Sequence, residues 1–406
     1  MSELAHGRLT GLAEIADTGR DARRGGYSRH LWQEADLELR AWFCQRAERL
    51  GLGVETDRNG NLWAWWGEPG PNAVVTGSHL DSVPGGGAYD GPLGVVSALE
   101  AVARLRASGF TPSRPLAVLV FAEEEGSRFG IACLGSRLMT GGIDADRARA
   151  LIDADGVTLA EAARRAGLDP VHLGPDREAL ARIGLFIELH VEQGRSLIDL
   201  GRPVAVASSI LAHGRWRLTL TGQGNHAGAT PMVDRRDPLV AAARAIVAVQ
   251  DAAQSHPGAR ATVGRLEVVP GGTNVIASSV HAWLDARAPT DAETRDLVAA
   301  IETAVGEAAG VNGCAVAVTE ESWTGTVTFD LDLVGRFRAV LGGGALVPAL
   351  PTGAGHDAGV LAASVPSAML FVRNPTGISH SPEEFAEVAD CVAGIDALET
   401  LLRSLL

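Results

Sequence analysis

Short apolar runs that stop abruptly at a histidine or an acid set the tightest limit on how this chain folds. The segments starting at Ala73 (A-V-V-T-G) and at Pro115 (P-L-A-V-L-V-F-A) are continuously apolar and then turn polar. Runs of that kind suit buried strands of a mixed or parallel sheet, with a helix expected over residues 94–109 between them. Further runs start at Ile183 (I-G-L-F-I-E-L), Ala345 (A-L-V-P-A-L) and Ala368 (A-M-L-F-V), before a terminal helix expected over 382–405. Upstream, residues 31–51 carry apolar positions at helical spacing and end in Gly, and residues 54–66 read as a hairpin turning at Asn59-Gly60. In sheets of this class ligands collect beyond the carboxyl ends of the strands, where His79 and the acids at 123–125 fall.

From about residue 213 the pattern changes. The stretch from Trp216 (W-R-L-T-L-T) alternates, a helix follows from Asp237, strands start near Ala261, Ser279 and Cys314, and a helix spans 291–309. That order, β-α-β-β-α-β, is a ferredoxin-like split arrangement. The expected organisation is α/β: a mixed-sheet domain over 1–208 and 327–406, with a compact ferredoxin-like α+β domain inserted at 209–326. A chain of 406 residues supports two cores.

A net charge of −14 argues against nucleic acid or an anionic membrane as partner. No apolar run reaches about 18 residues, and M-S-E-L-A-H-G-R has no basic stretch leading into an apolar one, so neither export nor insertion is expected. Four scattered cysteines without C-x-x-C fit reduced thiols in the cytoplasm.

The chemistry sits in five segments: T-G-S-H-L-D-S-V from Thr76, Y-D-G-P-L-G-V from Tyr89, F-A-E-E-E-G-S-R-F from Phe121, E-L-H-V-E-Q-G from Glu188 and G-I-S-H-S-P from Gly377. His79 and Asp81 are two apart at a strand end, so Asp81 is placed to orient the imidazole. Asp90 carries two oxygens that can bridge two cations. Three consecutive acids, Glu123, Glu124 and Glu125, repel one another, and a bound cation is a simple reason to gather them. With His190 and His380 these residues form a mixed N/O set suited to Zn²⁺, Mn²⁺, Co²⁺ or Ni²⁺, and the lack of Cys disfavours a closed structural zinc site. An acid beyond those the ions need is what a hydrolase requires as a base.

Together with G-N-H-A-G-A-T-P-M from Gly224, G-G-T-N-V-I from Gly271 and G-H-D-A from Gly355, the segments resemble the allantoate amidohydrolase, N-carbamoyl-L-amino-acid hydrolase and β-ureidopropionase family. That family lies within the aminoacylase–carboxypeptidase metallohydrolases, and the resemblance spans nearly the whole chain in order. It implies two divalent ions per subunit, one held by His79, Asp90 and His190, the other by Asp90, Glu125 and His380. It makes Glu124 the general base, with a one-residue ambiguity left by the triple acid. It also implies that 1–208 and 327–406 form a metallo-exopeptidase-like catalytic domain and that 209–326 is a lid or dimerisation domain, in a homodimer where His226 from the partner's inserted domain stabilises an oxyanion. Gln193, Asn274, Arg287 and His356 then line the substrate, with Arg287 gripping a carboxylate. The implied activity is hydrolysis of a ureido C–N bond in a small carboxylate such as allantoate or an N-carbamoyl amino acid. An aminoacylase or dipeptidase on an ordinary amide, and a catalytically silent binding protein on the same fold, are the alternatives. The run F-V-R-N-P-T-G from Phe371 departs from the family's F-V-P-S-x-x-G form.

Overall fold

The computed structural model describes residues 9–342 and 347–406; the N-terminal M-S-E-L-A-H-G-R and the first part of the run from Ala345 lie outside them. Contacts divide the chain into two units, 1–209 with 328–406, and 210–327.

The first unit is built on a nine-stranded mixed sheet. Its order is Gly53–Thr56, Leu62–Trp66, Leu116–Phe121, Ala73–His79, Ile183–Val191, Ser367–Val372, Val204–Ile210 and Val327–Thr328, with Ala349–Thr352 also pairing Val204–Ile210. The four strands Leu116–Phe121, Ala73–His79, Ile183–Val191 and Ser367–Val372 are mutually parallel. All four are buried along almost their whole length, which is why their sequences read as unbroken apolar runs. Helix Pro92–Ala107 starts with Pro at its first turn, where a missing N–H costs nothing. It packs on the Ala73–His79 and Ile183–Val191 strands and against the terminal helix. Trp63 and Trp65 stack at 5.3 Å within the Leu62–Trp66 strand, in the core.

The terminal helix is Val388–Leu405, not one starting at 382; residues 381–387 run as an irregular loop. His190 is the last residue but one of its strand.

The second unit is a four-stranded antiparallel sheet in the order Ala315–Thr324, Ala212–Thr221, Ser279–Ala288, Arg260–Val269. In Ser279–Ala288 every second residue is buried, the signature of a sheet covered on one face. Helices Pro238–Ser255 and Asp291–Val311 cover that face, capped by Asp237 and Thr290 side chains on Leu239 N and Glu293 N. Trp216, Leu218, Leu284, Leu297 and Ile301 form the core, where a Leu→Ala change would cost about 2–5 kcal/mol. No helix among the described residues is long and apolar enough to cross a membrane. All four cysteines are free.

Candidate metal centre

Parallel pairing brings the expected ligands to one edge. His79 is the last residue of its strand and sits in register with Phe121, so the acids following Phe121 emerge beside it. Glu123 adopts φ 55°, a left-handed turn at the sheet edge from which Glu124 and Glu125 follow. Gly91 lets the chain return against the imidazole: a Cβ there would lie 2.4 Å from His79 Cε1.

Two donor groups share Asp90. His79, Asp90 and His190, all buried, converge in one, and Asp90, Glu125 and His380 in the other. Asp90 Oδ1 lies 3.5 Å from His79 Nε2 and 3.2 Å from His190 Nε2. Asp90 Oδ2 lies 3.4 Å from His380 Nε2, which is 3.3 Å from Glu125 Oε2. Both buried imidazoles are fixed through Nδ1 by backbone carbonyls: His79 on Asp81 O at 3.0 Å, His190 on Val191 O at 2.9 Å. Each Nε2 is left for a ligand. His79 Nε2 and Glu125 Oε1 are buried without a hydrogen-bond partner, an arrangement that costs free energy until something binds them. Nitrogen and oxygen donors with orphaned buried atoms fit divalent transition ions.

Asp81 meets the imidazole through its backbone carbonyl rather than its carboxylate. Its carboxylate is 3.6 Å from His79 Nδ1, too long for a hydrogen bond. It accepts instead from Glu124 N at 3.2 Å and Glu125 N at 3.0 Å, holding the acid run in place while its carbonyl orients the imidazole. Glu123 accepts from Arg128 N and Phe129 N at 2.7 and 2.6 Å, and so organises the following loop. Arg128 is anchored on Asp153 and Leu31 O.

Burial pushes Glu124 up to about 7 and Glu123 up to about 8, and raises Glu125 well above its usual range, with neighbouring carboxylates adding to the shift. For His190 burial pulls down, but Asp90 outweighs it and lifts the imidazole to about 9. Asp90 is disfavoured by burial and yet held well below its usual value by His190 and His79.

Glu124 Oε2 lies 3.7 Å from His79 Nε2, and its Oε1 accepts from the Cys133 thiol at 3.2 Å. Gln193 Nε2 donates to Asp90 Oδ2 at 2.9 Å and to Ser379 Oγ at 3.2 Å, so this amide is engaged on the shared carboxylate. His356 is buried, its ring 4.5 Å from that of His190. Burial and His190 keep it well below its usual pKa, hence neutral. It also joins Glu188 and His190 in a third donor group, but Glu188 already accepts from Ser78 Oγ at 2.7 Å and Ala358 N at 2.9 Å.

His226, Asn274 and Arg287 belong to the second unit. His226 is exposed, and its Nδ1 accepts from Gly228 N and Ala229 N, both at 3.1 Å. The ring therefore carries its proton on Nε2 as a donor. Asn274 lies beside it, its carbonyl accepting from Ala227 N at 2.9 Å. Arg287 is paired with Asp285 through Nε at 2.7 Å and Nη2 at 2.9 Å.

Sequence reasoning missed Cys133, Glu188 and Glu384. It also gave no account of the F-V-R-N-P-T-G run, which is scaffolding. Arg373 forms a two-pronged pair with Asp390 at 2.8 and 2.9 Å. Asn374 Oδ1 accepts from Thr376 N and Gly377 N, folding the loop that leads to His380.

Residues 75–404 match the model of peptidase family M20/M25/M40. The chain is 36% identical to an N-carbamoyl-L-amino acid amidohydrolase of Geobacillus stearothermophilus over 95% of both chains. It is 34% identical to an allantoate amidohydrolase of Bacillus subtilis, over 94% of this chain and 93% of that one. A crystal structure of an amidase of the hydantoinase/carbamoylase family from Burkholderia multivorans superposes with a TM-score of 0.85 at 32% identity, covering 98% of this chain and 96% of that one. The chain belongs to peptidase family M20/M25/M40, among its metal-dependent amidohydrolases acting on C–N bonds outside peptides.

Proposed function

We propose that the protein hydrolyses the ureido C–N bond of a small carboxylate, an N-carbamoyl amino acid or allantoate, with two divalent ions and Glu124 as general base. The observation that carries this is the pair of donor groups sharing Asp90, with an unassigned buried acid, Glu124, beside them. His79, Asp90 and His190 would hold one ion, and Asp90, Glu125 and His380 the other. When bound, the ions acidify a water and polarise the substrate carbonyl.

Glu124 takes the proton of the attacking water on Oε2, the oxygen nearest His79 Nε2. The water oxygen bonds to the ureido carbon, the C–N bond breaks, and Glu124 returns the proton to the leaving nitrogen. For an N-carbamoyl amino acid the products are the amino acid and carbamate, which decomposes to CO₂ and ammonia. A buried carboxyl beside both donor groups suits both the taking and the return. Within this reading the partner subunit's His226 offers Nε2–H to the developing oxyanion and Arg287 binds the substrate carboxylate, with Asn274, Gln193 and His356 as further contacts. Two copies associate through the second unit.

Ammonia release tests the reading, on enzyme stripped with chelator and reloaded with Zn²⁺, Mn²⁺, Co²⁺ or Ni²⁺. The panel is allantoate, N-carbamoyl-β-alanine and several N-carbamoyl-L-amino acids. Turnover of one ureido acid that disappears on chelation is the expected result. Stoichiometric metal with no ammonia released from any member of the panel overturns it.

A further inference from the structure

Two loops that carry expected ligands meet on one buried carboxylate that belongs to neither donor group. Glu384 is 4% exposed. Its Oε1 accepts from Tyr89 N at 3.1 Å and Asp90 N at 2.9 Å. Its Oε2 accepts from Ser379 Oγ at 3.0 Å. The same hydroxyl lies 3.3 Å from Asp90 Oδ2 and directly precedes His380 in sequence. Glu384 thus grips the backbone of the shared ligand and, through Ser379, reaches that ligand's carboxylate and the start of the His380 loop.

Gly87 completes the arrangement. A Cβ there would fall 2.3 Å from Glu384 Oε1, whereas its φ is not in the left-handed region. The three atoms nearest that Cβ all belong to the Glu384 side chain, its own Cβ at 2.5 Å among them.

We propose that Glu384 is a positioning residue for the metal pair: it locks the Asp90 and Ser379–His380 loops in one register, so that the two donor groups form together and fill cooperatively. The proposal rests on the two-ion reading above. Without Glu384, two buried N–H donors lose their acceptor, and the Asp90 loop gains by moving to recover one. That movement displaces a ligand common to both groups. Groups that orient metal ligands typically change affinity by about 10- to 100-fold when removed.

The test is calorimetric titration of chelator-stripped protein with Zn²⁺, alongside melting curves with and without metal. Glu384→Ala should weaken Zn²⁺ binding about tenfold or more and separate or abolish the second binding event. Glu384→Gln should recover most of the affinity, since its amide oxygen still accepts from Tyr89 N and Asp90 N and its NH₂ faces Ser379 Oγ. Gly87→Ala should mimic Glu384→Ala while keeping the carboxylate, and it answers alone if Glu384→Ala does not fold. Unchanged Zn²⁺ isotherms in Glu384→Ala, with melting lowered equally with and without metal, overturn the proposal. Failure of the wild-type chain to take up two ions is a separate outcome, and sinks the two-ion reading instead.

Discussion

The Cys133 thiol donates to Glu124 Oε1 across 3.2 Å, and the Cys133 backbone N–H also reaches Glu124 O at 2.6 Å. Cys133 holds φ 54°, an uncommon value for a residue with a side chain, at the start of the helix Leu134–Thr140. The two bonds fix the base so that Oε2 is the oxygen left toward His79. Cys133→Ala should lower kcat about tenfold with KM little changed, the size expected for losing one bond to a charged group. Cys133→Ser should restore most of it, because a hydroxyl can donate from the same place. Equal kinetics in the Ala and Ser variants would show that the thiol only fills space.

Glu124→Gln should keep metal content and melting temperature while kcat falls by several orders of magnitude, since an amide cannot take the water proton. Glu125→Gln should instead lose metal, because Glu125 completes the group with Asp90 and His380. Metal analysis and kinetics on both variants check the assignment. The opposite pattern would shift the base by one residue along the acid run.

The metal-free chain should lose stability as pH rises from about 7 to 9. Burial lifts Glu123 to about 8, above the ordinary 4.5, so the folded form keeps a proton that the unfolded chain has already released. His190, lifted to about 9 from 6.5 despite its burial, acts in the same direction: its contribution is complete below 6.5 and is lost as pH approaches 9. His356, His30 and His213 are shifted the other way, downward, chiefly by burial, and so do not add to this loss. Denaturation midpoints measured in chelator at pH 7, 8 and 9 should therefore fall. Reloaded protein should fall less, because the ions take the place of those protons and bind better as pH rises. A flat metal-free profile would show that these groups ionise equally in both states.

The sheet and the five expected donor residues were legible for different reasons. Unbroken apolar runs mark strands buried on both faces, and the parallel strands carry that signal in Ala73–His79 and Leu116–Phe121. His79, Asp90, Glu125, His190 and His380, expected as ligands, are the residues gathered into the two groups that share Asp90. What stayed hidden depends on contacts between distant segments. Glu384 binds Tyr89 N from 295 positions away, and nothing local in S-P-E-E-F marks it. The same residue explains the misplaced start of the terminal helix. A helix from 382 would compete with the loop that turns Glu384 inward. For Asp81, spacing gave the right partner but the wrong atom, because a side chain two residues from His79 can reach the Glu124 and Glu125 amides as readily as the ring.

Arg287 gives the sharpest test of how a small acid is read. Its Nε and Nη2 already lie on Asp285, both residues being half-buried on the Ser279–Ala288 strand. That pairing fixes the guanidinium plane before any substrate arrives, and a planar fork set in advance loses less on binding a carboxylate than a free side chain would. Arg287→Ala and Arg287→Lys should both lower kcat/KM about 100-fold, since Lys keeps the charge but not the fork, with metal content unchanged. Asp285→Asn should cost less, about tenfold and mainly in KM, because it loosens the arginine without removing it. Steady-state kinetics on the preferred ureido acid separate the cases. If Arg287→Lys is near normal, Arg287 serves the structure rather than the substrate, and the substrate carboxylate is read elsewhere.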